Sequence, residues 1–426
     1  MTEFPSNIDL LTATVMQLQD HLWKGSFNSV QLVREYLRRI EENNHEGLAL
    51  GAVIETAPYE KLIGVASDLD DLRKQGASSG SHALAGSIVP GDARAIKNLR
   101  AAGAIILGKA NISELSGIRD EIKGEWSGRG GYCYSAYGEN ADPKGSSGGS
   151  AVSVSSGFAA AALGGDTTGS ITWPAGRAAC YAMRPTVGLV STEGCIPLSS
   201  SMDVLGPLGK SAYDVALMLS HMARDSNDAS FENYTRYTDK SHASFKGKRL
   251  GVPRADTIDN PDTWTKFRYH KSNLVSIQKA FDLALDKMRI LGAHVEDPAD
   301  LPCGIVDVSA VGGKIIAHEM RELHEAYTST LKDWRLSSRT QDLEMPQGPI
   351  RPTRLIEAVE AEGRRSKAYR DVVTEASRIY ENGMGALLNT VKLDALIVPS
   401  AHVRLVRHAS VGGWVITMAL NDDAAV

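Results

Sequence analysis

The residues most able to do chemistry in this chain are concentrated in one stretch, Gly145–Ala175. It is crowded with glycine, serine and alanine and carries a single charge, Asp166. Two short turns bracket it, Gly145-Ser146-Ser147-Gly148-Gly149 and Asp166-Thr167-Thr168-Gly169-Ser170, with small apolar residues between them. Glycine lets a backbone turn tightly and lets another group come close. Serines held in such turns are candidates for a nucleophile or a proton relay. A Gly/Ser-rich linker is the structural alternative, but a linker would not place Phe158 and a long alanine run between its turns.

Other motifs carry less. Gly145-Ser146-Ser147-Gly148-Gly149 formally satisfies GxSxG, which would make Ser147 the nucleophile, with an Asp and a His later in the chain. Such a match arises easily in a glycine-rich run, and the preceding Asn140–Lys144 is polar rather than strand-like. His318-Glu319 begins an HExxH pattern that fails at Glu322, so a zinc-protease site is excluded and His318 and His324 read as surface or half-buried helical residues. Ser329-Thr330-Leu331-Lys332 matches SxxK without its companion motifs, and no GxxxxGK[ST] is present to support phosphate chemistry.

The two turns, with Ser170 placed 24 positions after Ser146, resemble the signature of the amidase signature family, serine hydrolases that cleave amides. The flanks resemble it too: Gly108-Lys109-Ala110-Asn111 is similar to the family's GKTN segment, and Trp126–Gly131 to its glycine-rich loop. Arg184–Gly188, Pro197–Ser199, Asp203–Pro207 and Leu393–Ser400 follow the family pattern, so the likeness runs over residues 8–400. The resemblance implies Ser170 as the nucleophile and Ser146, on a cis peptide bond, as the proton relay. Backbone N–H groups of Thr167, Thr168, Gly169 and Ser170 would form an oxyanion hole, so that Ser146 and residues 167–170 contact the substrate. Ser147 and Asp166 would support them, Asp166 by bracing the turn. The chemistry needs such a set. An amide carbon is a poor electrophile, so the attacking oxygen must lose its proton as it attacks, and an important oxyanion donor is worth about 3–4 kcal/mol.

The expected activity is therefore cleavage of a carboxylic amide through a Ser170 acyl-enzyme, in a fungal-type amidase of a natural-product pathway. The alternatives are an esterase and a catalytically impaired relative acting as a binding protein. The resemblance implies no metal and no organic cofactor. Its partner is a small-molecule amide; a homodimer is left open.

Two departures stand out. In the family a catalytic lysine ends a strand of the form Gly-Ile/Val-Pro-x-x-x-Lys-Asp, upstream of the relay serine. Here the chain passes from Lys74-Gln75-Gly76 almost directly into Ala77–Gly86, and that strand has no counterpart. Lys109, Lys97 and Lys74 are the nearby lysines; Lys109 belongs to the GKTN-like segment, Lys97 to a solvated helix face and Lys74 to a helix end, where a cation suits the dipole. No catalytic lysine is assigned. The second departure is Ala401–Val426, a divergent tail in which the family's closing strand and helix are not recognisable, leaving the sheet edge at 393–400 unpaired.

The elements that must position the turns follow from periodicity and caps. Helices are expected at 8–24, at 28–44 with Val33, Tyr36, Leu37 and Ile40 on one face behind a cap at Asn28 or Ser29, and at 59–75. Asp92 is expected to cap a helix to about Ala102, followed by a strand at Ala104–Leu107. Further helices are expected at 212–223 (capped by Ser211), 272–291, 314–332 and 354–390, with strands at 248–252, from 294 and at 393–400. The resemblance implies an α/β fold, a mixed central β-sheet surrounded by α-helices, as one domain over 1–426.

Composition excludes other classes. A net charge of −5 speaks against a nucleic-acid binder or a polybasic membrane anchor. No apolar run is long enough to span a bilayer, and MTEFPSNIDLL lacks a signal-peptide pattern. Cys133, Cys180, Cys195 and Cys303 are scattered and read as free thiols of a reducing compartment, so a cytoplasmic location is expected.

Overall fold

The computed structural model describes residues 4–67, 87–118, 125–223, 233–239, 244–255, 257, 259, 271–302, 308–332, 353–399 and 415–418. The end of the third helix, the departure at 76–86, Cys303 and most of the tail lie outside them. The chain forms two units, one from Met1–Thr235 with Met320–Glu360, the other from Arg236–Glu319 with Ala361–Val426.

In the first unit, helix α1 (Val15–Trp23) starts later than its apolar pattern suggests. Thr14 and Gln17 form a reciprocal capping box there, and Asp9 holds the preceding residues in a turn by accepting from Leu11 N at 2.9 Å. In α2 (Ser29–Asn43) the cap is Asn28, again with a capping box through Gln31, and Val33, Tyr36 and Ile40 are the buried stripe. Strand β1 (Val53–Thr56) and helix α3 (Tyr59–Ser67) follow. Helix α4 (Arg94–Ala101) has Ala93, not Asp92, at its cap position. Asp92 instead accepts from Arg100 Nε at 2.8 Å, an ion pair that draws its carboxylate away from the helix N–H groups.

Ala104–Leu107 is not a strand. The ladder lies one step on, where β2 (Gly108–Ala110) pairs antiparallel with β1. Ile105 and Ile106 have the apolar character of a strand but no backbone partner among the described residues, and strand identity requires the ladder. The glycine-rich Trp126–Gly131 segment is part of a hairpin, β3 (Glu125–Ser127) with β4 (Gly131–Cys133).

Helix α5 (Gly148–Ser155) is the buried centre of this unit; every residue from Gly148 to Val154 is buried. A helix without a polar face can be stable only when covered on all sides. Val152 packs with Ile40, Val53 and Phe158, while Ala151 and Val154 pack with Ile171, Ala175 and Leu208. After it come β5 (Ala162–Asp166), α6 (Thr172–Arg177), β6 (Tyr181–Ala182) and β7 (Val204–Gly209), the strands lying antiparallel in the order β5-β7-β6. Ser211 caps α7 (Ala212–Met222), its Oγ accepting from Asp214 N at 3.1 Å.

Strand β8 (Arg249–Gly251), helix α8 (Lys271–Ile290) and strand β9 (His294–Glu296) belong to the second unit. Helix α9 (Val308–Thr328) carries the boundary between units, and α10 (Thr353–Glu360) belongs to the first. The helical pattern at 354–390 is broken into α10, α11 (Lys367–Tyr380, capped by Ser366), a π turn at Glu381–Gly385 and α12 (Ala386–Val391). Strand β10 (Ala395–Pro399) is buried along its whole length, as its unbroken apolar sequence requires of a central parallel strand. The parallel order is β11-β10-β8-β9, with β11 at Val415–Met418. The edge of β10 expected to be unpaired is therefore covered by a strand from the tail, in the register Leu396↔Val415 to Pro399↔Met418. Cys133, Cys180 and Cys195 are free thiols.

Candidate active site

The peptide bond Gly145–Ser146 is cis. It leads into the N-terminus of α5, while Ser170 stands two residues before α6. Ser146 and Ser147 are buried, at 4 % and 3 % exposure, and Ser170 is partly exposed. The two turns are joined directly: Ser147 N–H donates to the Ser170 carbonyl at 3.1 Å. The Ser147 hydroxyl is spent on structure. It donates to Gly165 O at 3.0 Å and accepts from Gly165 N at 3.1 Å, which bolts the start of α5 to strand β5. That engagement suits the supporting role and leaves the GxSxG reading of Ser147 without a free nucleophile.

Asp166 braces the second turn from beneath. Its Oδ1 accepts from Gly169 N at 2.6 Å and its Oδ2 from Ile171 N at 2.8 Å, so both ends of the Ser170 segment hang on one carboxylate. Burial of such a charge requires a partner, and Arg184 Nε supplies it at 3.1 Å; the two side chains are 0 % and 7 % exposed. Arg184 also donates to Met202 O at 2.7 Å. A second carboxylate repeats the device: Asp203 accepts from Thr167 Oγ1 at 2.6 Å and from Leu198 N and Ser199 N at 2.7 and 2.9 Å. Because Gly169 N–H is committed to Asp166, the backbone donors of the turn without a partner among the described residues are those of Thr167, Thr168 and Ser170.

Three residues near the turns escaped the sequence reading. Glu125, on β3, is fully buried behind the cis bond. Its Oε1 accepts from Ser113 N at 2.8 Å and Gly148 N at 3.1 Å, and Ser113 Oγ donates to its Oε2 at 2.5 Å. Ser113 N–H also donates to the Ser146 carbonyl at 3.2 Å, so the carboxyl, Ser113 and the cis turn form one cluster. A Cβ at Gly145 would stand 2.0 Å from Glu125 Oε2, which is why glycine precedes Ser146. Burial pushes the carboxyl up to about 8, against the three donors, which favour its charged form. Lys144 and Trp173 are the other two. The Lys144 ammonium lies 2.5 Å from Asp142 Oδ2 and 5.4 Å from the centre of the Trp173 ring, three residues after Ser170. A buried Asp166 demanded a cation, so Arg184 was inferable in kind; Glu125 and Lys144 gave no signal in their own segments.

Lys109 is held below its ordinary value, first by burial, a tertiary effect that its local sequence did not suggest. It lies on β2 and not on either serine turn. His318 and His324 are half-buried on α9, as expected. Among the described residues no group of three His, Cys, Asp or Glu side chains could hold a metal ion.

Comparison with known proteins sets this geometry in context. A Schizosaccharomyces pombe protein named as an amidase is 34% identical over 296 residues, covering 59% of this chain and 50% of its own. One subunit of the glutamyl-tRNA(Gln) amidotransferase of Methylobacillus flagellatus is 32% identical over 315 residues, 67% of this chain and 59% of its own. The chain spans about half the length of the first curated relatives it matches. The crystal structure of the peptide amidase of Stenotrophomonas maltophilia superposes with a TM-score of 0.81 at 28% identity, over 95% of this chain and 89% of that one. The family model for Amidase matches residues 68–426, across both serine turns and through both units, and the chain belongs to that family.

Proposed function

We propose that the chain cleaves carboxylic amides through an acyl-enzyme on Ser170. The observation that carries this reading is the Ser147 N–H bond to the Ser170 carbonyl at 3.1 Å, which fixes the relay turn and the nucleophile turn to each other. Ser170 Oγ bonds to the amide carbon while its proton leaves through Ser146. The oxyanion is met by N–H groups of Thr167, Thr168 and Ser170, held in place by Asp166 and Asp203. The C–N bond then breaks as the proton reaches the departing nitrogen, and water opens the acyl ester and restores Ser170.

The family assigns a lysine to hold the proton between these steps, and the departure in its segment falls outside the described residues. Near the turns Lys144 is engaged by Asp142, which favours a second reading, a slow enzyme better at esters than amides, because esters need less activation.

Likeness to a peptide amidase supports a small peptide-like amide as the first substrate to try. The family match through both units supports reading the chain as one amidase domain. A cytoplasmic, biosynthetic setting rests on the sequence alone, and a homodimer is a question for sizing.

The test is labelling with a fluorophosphonate serine probe, with the adduct mapped by mass spectrometry. An adduct on Ser170 is expected, and Ser170→Ala should lower amide or ester turnover by on the order of 10⁴–10⁶. Unchanged turnover in Ser170→Ala would sink the proposal.

A further inference from the structure

We propose that a slot in the first unit takes one β-strand from another polypeptide, a segment that is uncharged, apolar on both faces and paired through its backbone along both edges. The slot has a volume of about 480 Å³ and is bordered by two stretches of chain, Ala104–Ala110 and Ala159–Leu163. The first leads into β2 and the second into β5, and the sheets β1-β2 and β5-β7-β6 are separate. Ser146, Ser147, Asp166 and residues 167–170 do not line the slot, so it is distinct from the candidate active site.

The backbone on both borders points to a strand. Ile105 and Ile106 on one side, and Ala160 and Ala161 on the other, make no backbone hydrogen bond among the described residues. All four are partly exposed. Main-chain N–H and C=O groups away from water are normally paired, and here two consecutive residues on each side are not. A strand presents N–H and C=O groups to both of its neighbours at once, whereas a hydrocarbon chain would leave these groups unpaired. The borders are seven and five residues long, the length of an ordinary strand.

The surrounding side chains set the chemistry of the occupant. One apolar cluster joins Leu107 and Ala160 to α1 and α2 through Leu18 and Leu32, and another joins Ala104 and Leu163 to α4 and α7 through Leu99 and Met218. A strand covered by both helix pairs needs an unbroken apolar run. No carboxylate lines the slot, so a cation in the middle of that run finds no partner. The family's lysine-ending strand has no counterpart in this chain, and between Asp68 and Gly86 the longest apolar run is Ala83-Leu84-Ala85. That run is too short for a border of seven residues, so the strand comes from a separate polypeptide.

The experiment is titration of the full chain with the peptide acetyl-Lys-Lys-Gly-Ser-Val-Ile-Val-Ala-Val-amide, whose lysines only keep it in solution. Calorimetry reads the binding and hydrogen exchange locates it. Saturable one-to-one binding is expected, with slowed exchange at the amides of 105–106 and 160–161. The same peptide N-methylated at alternate apolar residues keeps its apolar surface but loses the N–H groups of one edge, and should bind at least tenfold more weakly. Met218→Trp and Leu32→Trp, made separately, narrow the slot from either helix pair and should each weaken binding at least tenfold; if one does not fold, the other carries the comparison. Absence of saturable binding would overturn the proposal. Equal affinity for the methylated peptide would mean an apolar cavity rather than a strand slot, and would overturn it too. So would protection confined to other segments, or a dimer of the free chain in sedimentation that the peptide dissociates, which would make a second copy the occupant. None of these outcomes depends on Ser170 being a nucleophile.

Discussion

At the scale of single residues, two buried carboxylates lie close to the serine turns and are treated differently. Asp166 has a guanidinium and two N–H donors. Glu125 has donors but no cation among the described residues, and its environment favours the neutral acid. In that form Oε1 keeps its two N–H bonds and the acid proton lies between Oε2 and Ser113 Oγ. Because the folded carboxyl is raised from its ordinary 4.5 to about 8, the proton is held more tightly in the folded chain. Its contribution to stability is complete below the ordinary value and is lost as pH rises through about 8. Glutamine reproduces the neutral acid's bonding, with its N–H₂ facing Ser113 Oγ. Glu125→Gln should therefore flatten the fall of Tm between about pH 4.5 and 8, as measured by calorimetry across a pH series. The same slope in both proteins would refute the assignment.

At the scale of elements, α5 connects the site to the core. Helix propensity alone says that alanine in place of a helical glycine gains about 0.8–1 kcal/mol. At Gly149 packing reverses that sign. A Cβ there would lie 2.4 Å from Asn111 O and 2.6 Å from Ala52 O, both backbone atoms that cannot swing aside. Overpacking of a tight core costs about 1–3 kcal/mol and exceeds the propensity gain. Gly149→Ala should lower Tm in a thermal melt, and should weaken fluorophosphonate labelling because α5 carries the relay turn at its start. An equal or higher Tm would show that the helix does not pack this closely.

At the scale of the whole molecule, each unit has its own buried clusters. In the second, Leu396 is completely buried in β10, among Met384, Leu387 and Val398. Truncation of a core leucine leaves a cavity as well as losing its transfer energy. Leu396→Ala should cost about 2–5 kcal/mol, read from the denaturant midpoint. A loss below 1 kcal/mol would mean the parallel sheet is not a packed core. Strand β11 shows how much depends on partners: the Val415–Met418 segment gave no reason to pair, and β10 offered it an apolar edge in register.

The sequence by itself determined the two serine turns, the family, the capped helices at Asn28 and Ser211, and the apolar strand at Ala395–Pro399. These depend on local chemistry: a side-chain cap, an apolar run, small residues at a fixed spacing. Tertiary structure decided the rest. Asp92 went to Arg100 rather than to its helix, the ladder moved from Ala104–Leu107 to Gly108–Ala110, and Glu125 came to lie behind Gly145. Each outcome turned on a partner supplied from another part of the fold. A carboxylate takes the best cation in reach, a strand exists only where its backbone is paired, and burial is set by everything that surrounds a group.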